Sequence, residues 1–301
     1  MYQTPVLLHF DEDRNFASAV AQAADMQALS VQRHRFPDGE LKLRLPATLP
    51  QRVVLLRTLN DPNEKLVELL LVAGSARGAG ARHLTLVAPY LAYMRQDIAF
   101  NPGEVVSQRV VGRFLADLFD AVITVDPHLH RVATLQEAVP VPQAIVLSGA
   151  PLLADLIAQQ RPGALLIGPD EESAQWIAQA ATRHGFDYGV CRKVRHGDRD
   201  VTIALPTVPV AGRAVVLLDD VASSGHTLAE ATKLLLAAGA TSVDVAVTHA
   251  LFAQGAMELV ASAGVQHIWS TDCITHPSNA VSMAGPIAAA LSQIIPTETA
   301  P

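Results

Sequence analysis

Short runs of Val, Leu, Ile and Ala recur along the chain. Between them lie longer stretches in which apolar residues return every third or fourth position. The runs fall at 53–57, 83–90, 121–126, 164–170, 214–220, 242–249 and 267–272. Continuous apolar runs of this length predict strands buried on both faces, as in a parallel sheet, rather than strands with one wet face. The amphipathic stretches predict helices over 64–76, 107–118, 173–183, 227–238 and 253–262, with a closing helix in 286–295 and a polar, frayed tail. Strand and helix alternate, so the fold class is α/β with right-handed crossovers.

A repeat sharpens this picture. The segment RVVLLRTLNDPNEKLVELLLVAGSARGAGARHLTLVAPY begins at Arg52, and RAVVLLDDVASSGHTLAEATKLLLAAGATSVDVAVTHAL begins at Arg213. Each reads as strand, turn, helix, Gly-Ala turn and strand, and two copies suggest duplicated domains rather than a solenoid. A chain of 301 residues is long for one core. Pro140 and Pro142 interrupt regular structure between the copies, which predicts domains at 1–143 and 144–301. The copies differ at one telling place: the second has Asp219 and Asp220 where the first has Arg57 and Thr58.

Composition narrows the functions. Hydrophobic residues make up 50% and charged residues 17%, which excludes general disorder. Lys and Arg total 22 against 29 Asp and Glu, a net charge of −7. Such a chain lacks the broad basic surface that a nucleic-acid partner requires, so any bound anion must be met by a local pocket. Its two cysteines are too few for a disulfide framework or a zinc site and suggest a reducing compartment. The N-terminus has no basic start before its apolar stretch, and no segment is long and apolar enough to span a bilayer. The expectation is a cytoplasmic protein with no membrane partner.

Ligands of open α/β sheets bind at the carboxyl ends of strands, and several polar clusters fall there. In VVLLDDVASSGHTLAEA a buried strand runs into Asp219 and Asp220, then a small-residue loop, then a helix. The loop N–H groups and the helix N-terminus make an anion site, to which Ser223, Ser224 and Thr227 add hydroxyls. Paired acids suit sugar hydroxyls or a metal-bound ligand. The bland rival is an ordinary capped helix, which does not require two acids after four apolar residues. Phe36-Pro37-Asp38-Gly39-Glu40 reads as a hairpin turn. Arg95, Gln96 and Asp97 follow a strand end, where Arg95 can meet phosphate with its planar fork; such a triplet is otherwise a solvated turn. Lys193 and Arg195 lie two apart on an extended segment and share a face, as they would in any charged hairpin.

The Asp219–Thr227 stretch resembles the phosphoribosyl diphosphate signature of type I phosphoribosyltransferases and ribose-phosphate diphosphokinases: two acids, three variable residues, then Thr-Gly-Gly-Thr. Here the last four are Ser224, Gly225, His226 and Thr227. His226 replaces a glycine, which either limits how the backbone wraps a phosphate or donates an imidazole N–H to it. The other segments resemble the diphosphokinase family in order: Phe36 to Glu40, Pro89-Tyr90, Arg95 to Asp97, Pro102-Gly103-Glu104, VDPHLHR, GPDEES, CRKVRHGD and STDCITHPSN. The likeness covers nearly the whole chain and is nearer to the short, archaeal-like branch.

That resemblance implies two phosphoribosyltransferase-like domains and a homo-oligomer. It implies that ATP is bound by Phe36, Asp38, Gly39, Glu40, Arg95, Gln96 and Asp97, and ribose 5-phosphate by Asp219, Asp220, Ser223, Ser224, Gly225, His226 and Thr227. It places Mg²⁺ at His128 and Asp170, with His130 a neighbouring competitor for His128. Lys193 and Arg195 become catalytic, neutralising charge on the transferred group. The implied reaction passes the pyrophosphoryl group of Mg-ATP to the C1 hydroxyl of ribose 5-phosphate. Three alternatives remain at this point: a type I phosphoribosyltransferase, a non-catalytic regulatory homologue, and a diphosphokinase with a shifted sugar-phosphate preference.

Overall fold

The computed structural model describes residues 4–129, 131–195 and 201–294, with the backbone alone at 193–195 and 201–202. The chain divides into two compact units, Met1–Leu147 with Met283–Pro301, and Ser148–Ser282. His130 and the tail beyond 294 lie outside the described residues.

The first unit runs β1 (Val6–His9), α1 (Arg14–Ala23), β2 (Gln27–Ser30), β3 (Gln32–Arg35), β4 (Leu41–Arg44), β5 (Arg52–Leu56), α2 (Pro62–Gly78), β6 (His83–Ala88), α3 (Ser107–Leu118), β7 (Ala121–Val125), α4 (Leu135–Ala138) and β8 (Gln143–Leu147). Six of these strands form a wholly parallel sheet in the order β2-β1-β5-β6-β7-β8, while β3 and β4 pair as a separate antiparallel hairpin. Helices cover both faces of such a sheet, which is why its central strands carry apolar residues without alternation. Leu7, Leu8, Leu55, Leu56 and Leu86 are fully buried; each contributes about 1.5–3 kcal/mol relative to an exposed side chain.

The second unit repeats the plan. It comprises α5 (Ala150–Gln160), β9 (Leu165–Gly168), α6 (Ala174–His184), β10 (Tyr188–Val190), β11 (Arg192–Arg195), β12 (Val201–Ala204), β13 (Ala214–Ala222), α7 (His226–Ala237), β14 (Ser242–Ala250), α8 (Ala256–Ser262), β15 (Val265–Thr271) and β16 (Asn279–Val281). Its parallel sheet has the order β10-β9-β13-β14-β15-β16, and β11 with β12 forms the hairpin. In both units the hairpin is inserted between the second and third strands of the sheet. The duplication read from one βαβ segment therefore extends over each whole sheet.

The partition differs from the sequence expectation of 1–143 and 144–301 in two places. β8 completes the first sheet by pairing with β7, so the division follows Leu147. The last helix, α9 (Ala284–Ile294), returns to the first unit, where it packs on α1 and its Ile294 carbonyl accepts a bond from Arg52 Nη1 at 3.2 Å. The apolar face of α1, with Ala17, Val20 and Ala21 buried, requires that cover.

Candidate active site

In each sheet the strand order reverses direction of growth between the first and third strands, leaving a crevice at their carboxyl ends where ligands of such folds bind. In the second unit this is the junction of β9 and β13, which pair in parallel through Ile167 and Leu217. Asp170 follows β9, and Asp219 and Asp220 lie toward the end of β13. The three acids predicted from scattered segments thus meet at one sheet edge. Asp220 is buried and its N–H donates to Asp219 Oδ1 at 3.0 Å. Burial, then the negative charges of Asp220 and Asp170, push the Asp219 carboxyl well above the ordinary carboxylate range. An acid in that setting gains from a cation or from hydroxyl donors.

Asp170 is fixed by its own turn. Its Oδ1 accepts the Glu172 N–H at 3.1 Å and its carbonyl accepts Ser173 Oγ at 2.6 Å. A Cβ on Gly168 would come within 2.1 Å of that Ser173 oxygen, so the strand end closes on the turn only with glycine there. Cys191 lies nearby and is buried; burial, then the charge of Asp170, push its thiol up to about 11. A thiol so protonated is no nucleophile near neutral pH.

The loop after β13 places His226 in the helix rather than in the turn. Gly225 is the residue in the left-handed region, at φ +76°, while His226 is already the first residue of α7. The substitution of histidine for glycine falls where helical backbone suffices, so the turn keeps its shape and an exposed imidazole is added at the helix N-terminus. Ser223 is part-exposed, Ser224 exposed and Thr227 part-exposed around this turn. The loop is braced from the next crossover: Phe252 N–H bonds the Ala222 carbonyl and Ala253 N–H bonds that of Ser223, both at 2.9 Å. The Phe252 ring stacks on His276 at 5.1 Å, and the Asn279 amide ties the same segment to the Thr271 and Ile274 carbonyls at 2.6 and 3.1 Å. Phe252, His276 and Asn279 have no signature in spacing that would have assigned them this bracing role.

Lys193 and Arg195 sit on β11, opposite Ile203 and Val201 of β12. The alternation of a strand places both positions on one face. The link between these strands, 196–200, lies outside the described residues.

In the first unit the tip of the β3–β4 hairpin is closed by Phe36 N–H to Glu40 O at 2.8 Å and Gly39 N–H to Phe36 O at 2.9 Å. Gly39 has φ +94°, the conformation that its turn requires. Asp38, Gly39 and Glu40 are exposed, and Phe36, edge-on to His34 at 5.0 Å, leaves 40% of its surface to solvent. Arg95 is exposed, and the Gln96 amide donates to Ile98 O at 2.8 Å. Asp97 is buried and accepts Arg131 Nη1 at 2.6 Å, while its Oδ2 has no partner among the described residues. Arg131 in turn lies 5.7 Å over the ring of Phe100; it was not singled out in the sequence. His128 is part-exposed beyond β7, at the same carboxyl edge as the 95–97 segment that follows β6.

The corresponding crevice of the first unit, between β1 and β5, is occupied differently. Arg57 follows β5 and is 1% exposed. Its Nη1 donates to Asp13 at 2.8 Å and its Nε to Glu68 at 2.8 Å, with its guanidinium carbon 4.6 Å from the Phe10 ring centre. This crevice is filled by a paired cation where the second unit presents acids.

Residues 6–118 match the N-terminal domain of ribose phosphate pyrophosphokinase, and residues 142–284 match the phosphoribosyl transferase domain. The ribose-phosphate pyrophosphokinase of Methanopyrus kandleri is 35% identical over 292 residues, covering 96% of this chain and 99% of that protein. That of Halobacterium salinarum is 34% identical over 289 residues, covering 95% of this chain and 100% of the relative. Among solved structures, phosphoribosylpyrophosphate synthetase from Mycobacterium smegmatis superposes with a TM-score of 0.83 at 22% identity, covering 97% of this chain and 99% of that one, a likeness of fold. The chain belongs to the ribose-phosphate pyrophosphokinase family, as its motifs led us to expect, and its near relatives are of the archaeal kind.

Proposed function

We propose that this protein forms phosphoribosyl diphosphate and AMP from Mg-ATP and ribose 5-phosphate. The observation that carries the reading is the acidic edge of the second unit, Asp170, Asp219 and Asp220 beside the Gly225 turn, in a chain whose relatives are ribose-phosphate pyrophosphokinases over nearly their whole length.

Asp219 and Asp220 accept the sugar hydroxyls, and the backbone and side chains of Ser223, Ser224, Gly225, His226 and Thr227 hold the 5-phosphate at the start of α7. Phe36 stacks on the adenine, with Asp38, Gly39 and Glu40 beside it. Arg95 and Gln96 hold the nucleotide, and Asp97 supports that segment through Arg131. The C1 hydroxyl oxygen attacks the β-phosphorus, the bond from that phosphorus to the α,β-bridging oxygen breaks, AMP leaves, and the hydroxyl proton is lost to solvent. Lys193 and Arg195 neutralise the charge that builds on the transferred group, so the protein acts through alignment and electrostatics rather than a covalent intermediate.

The residues present suit Mg²⁺. No cluster of three or more His, Cys, Asp or Glu side chains is arranged to hold a metal among the described residues, but Mg²⁺ is ordinarily bound through one or two carboxylates plus substrate phosphates and water. Crowded negative charge at Asp219, Asp220 and Asp170 favours such a cation. Asp170 in the second unit and His128 in the first are the positions that would each take such an ion, which would shield the triphosphate oxygens from the incoming hydroxyl. Assembly as a homo-oligomer belongs to the same reading.

The test is incubation of the purified chain with ATP, ribose 5-phosphate and Mg²⁺, following AMP. A phosphoribosyltransferase releases none under these conditions and instead consumes phosphoribosyl diphosphate with a base. A regulatory homologue does neither.

A further inference from the structure

The hairpin that carries Phe36, Asp38, Gly39 and Glu40 has little core of its own. All of β3 is exposed, and β4 alternates between exposed and half-buried positions, with Leu43 packed against the first unit's core. Apolar burial therefore fixes one strand of the hairpin and leaves the other without an apolar anchor.

Charge supplies that anchor. Arg33 and Arg35 are two residues apart on β3 and share a face, while Glu64 and Glu68 are one helical turn apart on α2 and share a face. Arg35 bonds Glu64, and Arg33 bonds both Glu68 and Glu12. Glu68 is fully buried and also receives Arg57 Nη2 at 2.7 Å. Asp13, Arg57, Glu68, Arg33 and Glu12 thus form one chain of alternating charge from the first unit's filled crevice to the hairpin. Phe36, the first residue of the turn, directly follows Arg35.

We propose that Glu64 and Glu68 on α2 are positioning residues for the nucleotide: through Arg35 and Arg33 they fix the β3–β4 hairpin so that its tip meets the adenosine of ATP. This rests on the assignment of the tip to ATP. The exposed pair Arg35–Glu64 contributes little to stability by itself, so its effect lies in where the tip is held.

The pair that allows a clean test is therefore Arg35 with Glu64. ATP affinity is read by titration calorimetry, and the KM of each substrate by AMP formation, for wild type, Arg35→Glu, and the reversed pair Arg35→Glu with Glu64→Arg. Arg35→Glu places two like charges together and is expected to weaken ATP binding and raise its KM on the order of tenfold. The KM for ribose 5-phosphate, kcat and thermal midpoint stay as in wild type, and the reversed pair recovers ATP affinity. Unchanged ATP affinity in Arg35→Glu overturns the inference, as does a reversed pair that fails to recover, or a loss shared by both substrates with a lowered midpoint. A wild type that binds ATP but makes no AMP removes the assigned reaction instead, and the calorimetry still judges the anchor.

Discussion

Arg57 and Asp219 occupy matching places in the two units and carry opposite charge. Each follows the same tetrapeptide, Val-Val-Leu-Leu, at 53–56 and 215–218, on the third strand of its sheet. One unit closes its crevice with a guanidinium paired to Asp13 and Glu68; the other keeps two carboxylates at the edge. The duplicated scaffold thus presents opposite charge at its two matching crevices.

Removing Arg57 should strongly destabilise the first unit. Arg57→Met leaves Glu68 and Asp13 as buried carboxylates without their shared cation, a change that typically costs about 3–5 kcal/mol. Urea denaturation checks the size of the loss. Arg57→Met combined with Glu68→Leu and Asp13→Asn should recover much of it, because the uncompensated charges are then gone.

Substitution at the acidic edge should separate the substrates. Asp219→Asn or Asp220→Asn is expected to lower affinity for ribose 5-phosphate by about 10- to 100-fold, the usual range for a hydrogen bond to a charged group. ATP affinity should be unchanged. Calorimetry with each substrate alone distinguishes this from a general defect.

Gly225→Ala should disturb the turn before α7. A side chain there would sit at φ +76° and bring its Cβ within 2.9 Å of Val260 Cγ2 and 3.1 Å of the Ala256 carbonyl. The conformation alone costs about 1–2 kcal/mol. His226→Gly, by contrast, should leave the turn intact, since that position is helical. Thermal melts and ribose 5-phosphate titrations of the two variants should therefore diverge.

Lys193→Ala should lower kcat by about 10²–10³-fold with the thermal midpoint unchanged, as loss of a preorganised charge does. Stopped assays of AMP with both substrates saturating check this. Full activity in that variant would remove Lys193 from the chemistry.

Acid should weaken the contact between α5 and α6. Arg183 bonds both oxygens of Asp155, at 2.6 and 2.8 Å, and His184 adds a third contact at 2.6 Å. Hydrogen bonding by Arg183 holds the Asp155 carboxyl down to about 2 from 3.8; burial, the next cause, opposes it, and the His184 hydrogen bond adds to the lowering. A depressed carboxyl contributes stability that is present above pH 3.8 and lost as pH falls toward 2. The pair is part-exposed, so salt should shrink the effect. Melting curves of Asp155→Asn and wild type should differ near neutrality and converge at about pH 2.

The buried strands β5, β6, β7, β9, β13 and β14 were legible as mostly apolar runs, whereas β1, buried throughout but only four residues long, was not, and β15, expected to be buried, is exposed at Gln266 and His267. The edge strands escaped notice for the opposite reason. β2, β10 and β16 are only three or four residues long and partly exposed, so they lack both the length and the pattern. Asp170, Asp219 and Asp220 could be picked out as acids at strand ends, but their meeting at one edge depends on the strand order. Arg57 was visible as a departure from the repeat, and its role was not, since Asp13, Glu68 and Arg33 are distant in sequence and only packing unites them. His226 shows the converse: a mismatch to a motif that leaves the backbone of the turn unchanged, because Gly225 carries the positive φ.

The most direct measurement is the balance of products from ATP and ribose 5-phosphate with Mg²⁺, followed by phosphorus NMR with the β-phosphorus of ATP labelled at its non-bridging oxygens. The label should leave ATP and emerge in the diphosphate attached to C1 of the sugar, with one AMP formed for each. ADP as the nucleotide product, or label that stays on the nucleotide, would contradict pyrophosphoryl transfer.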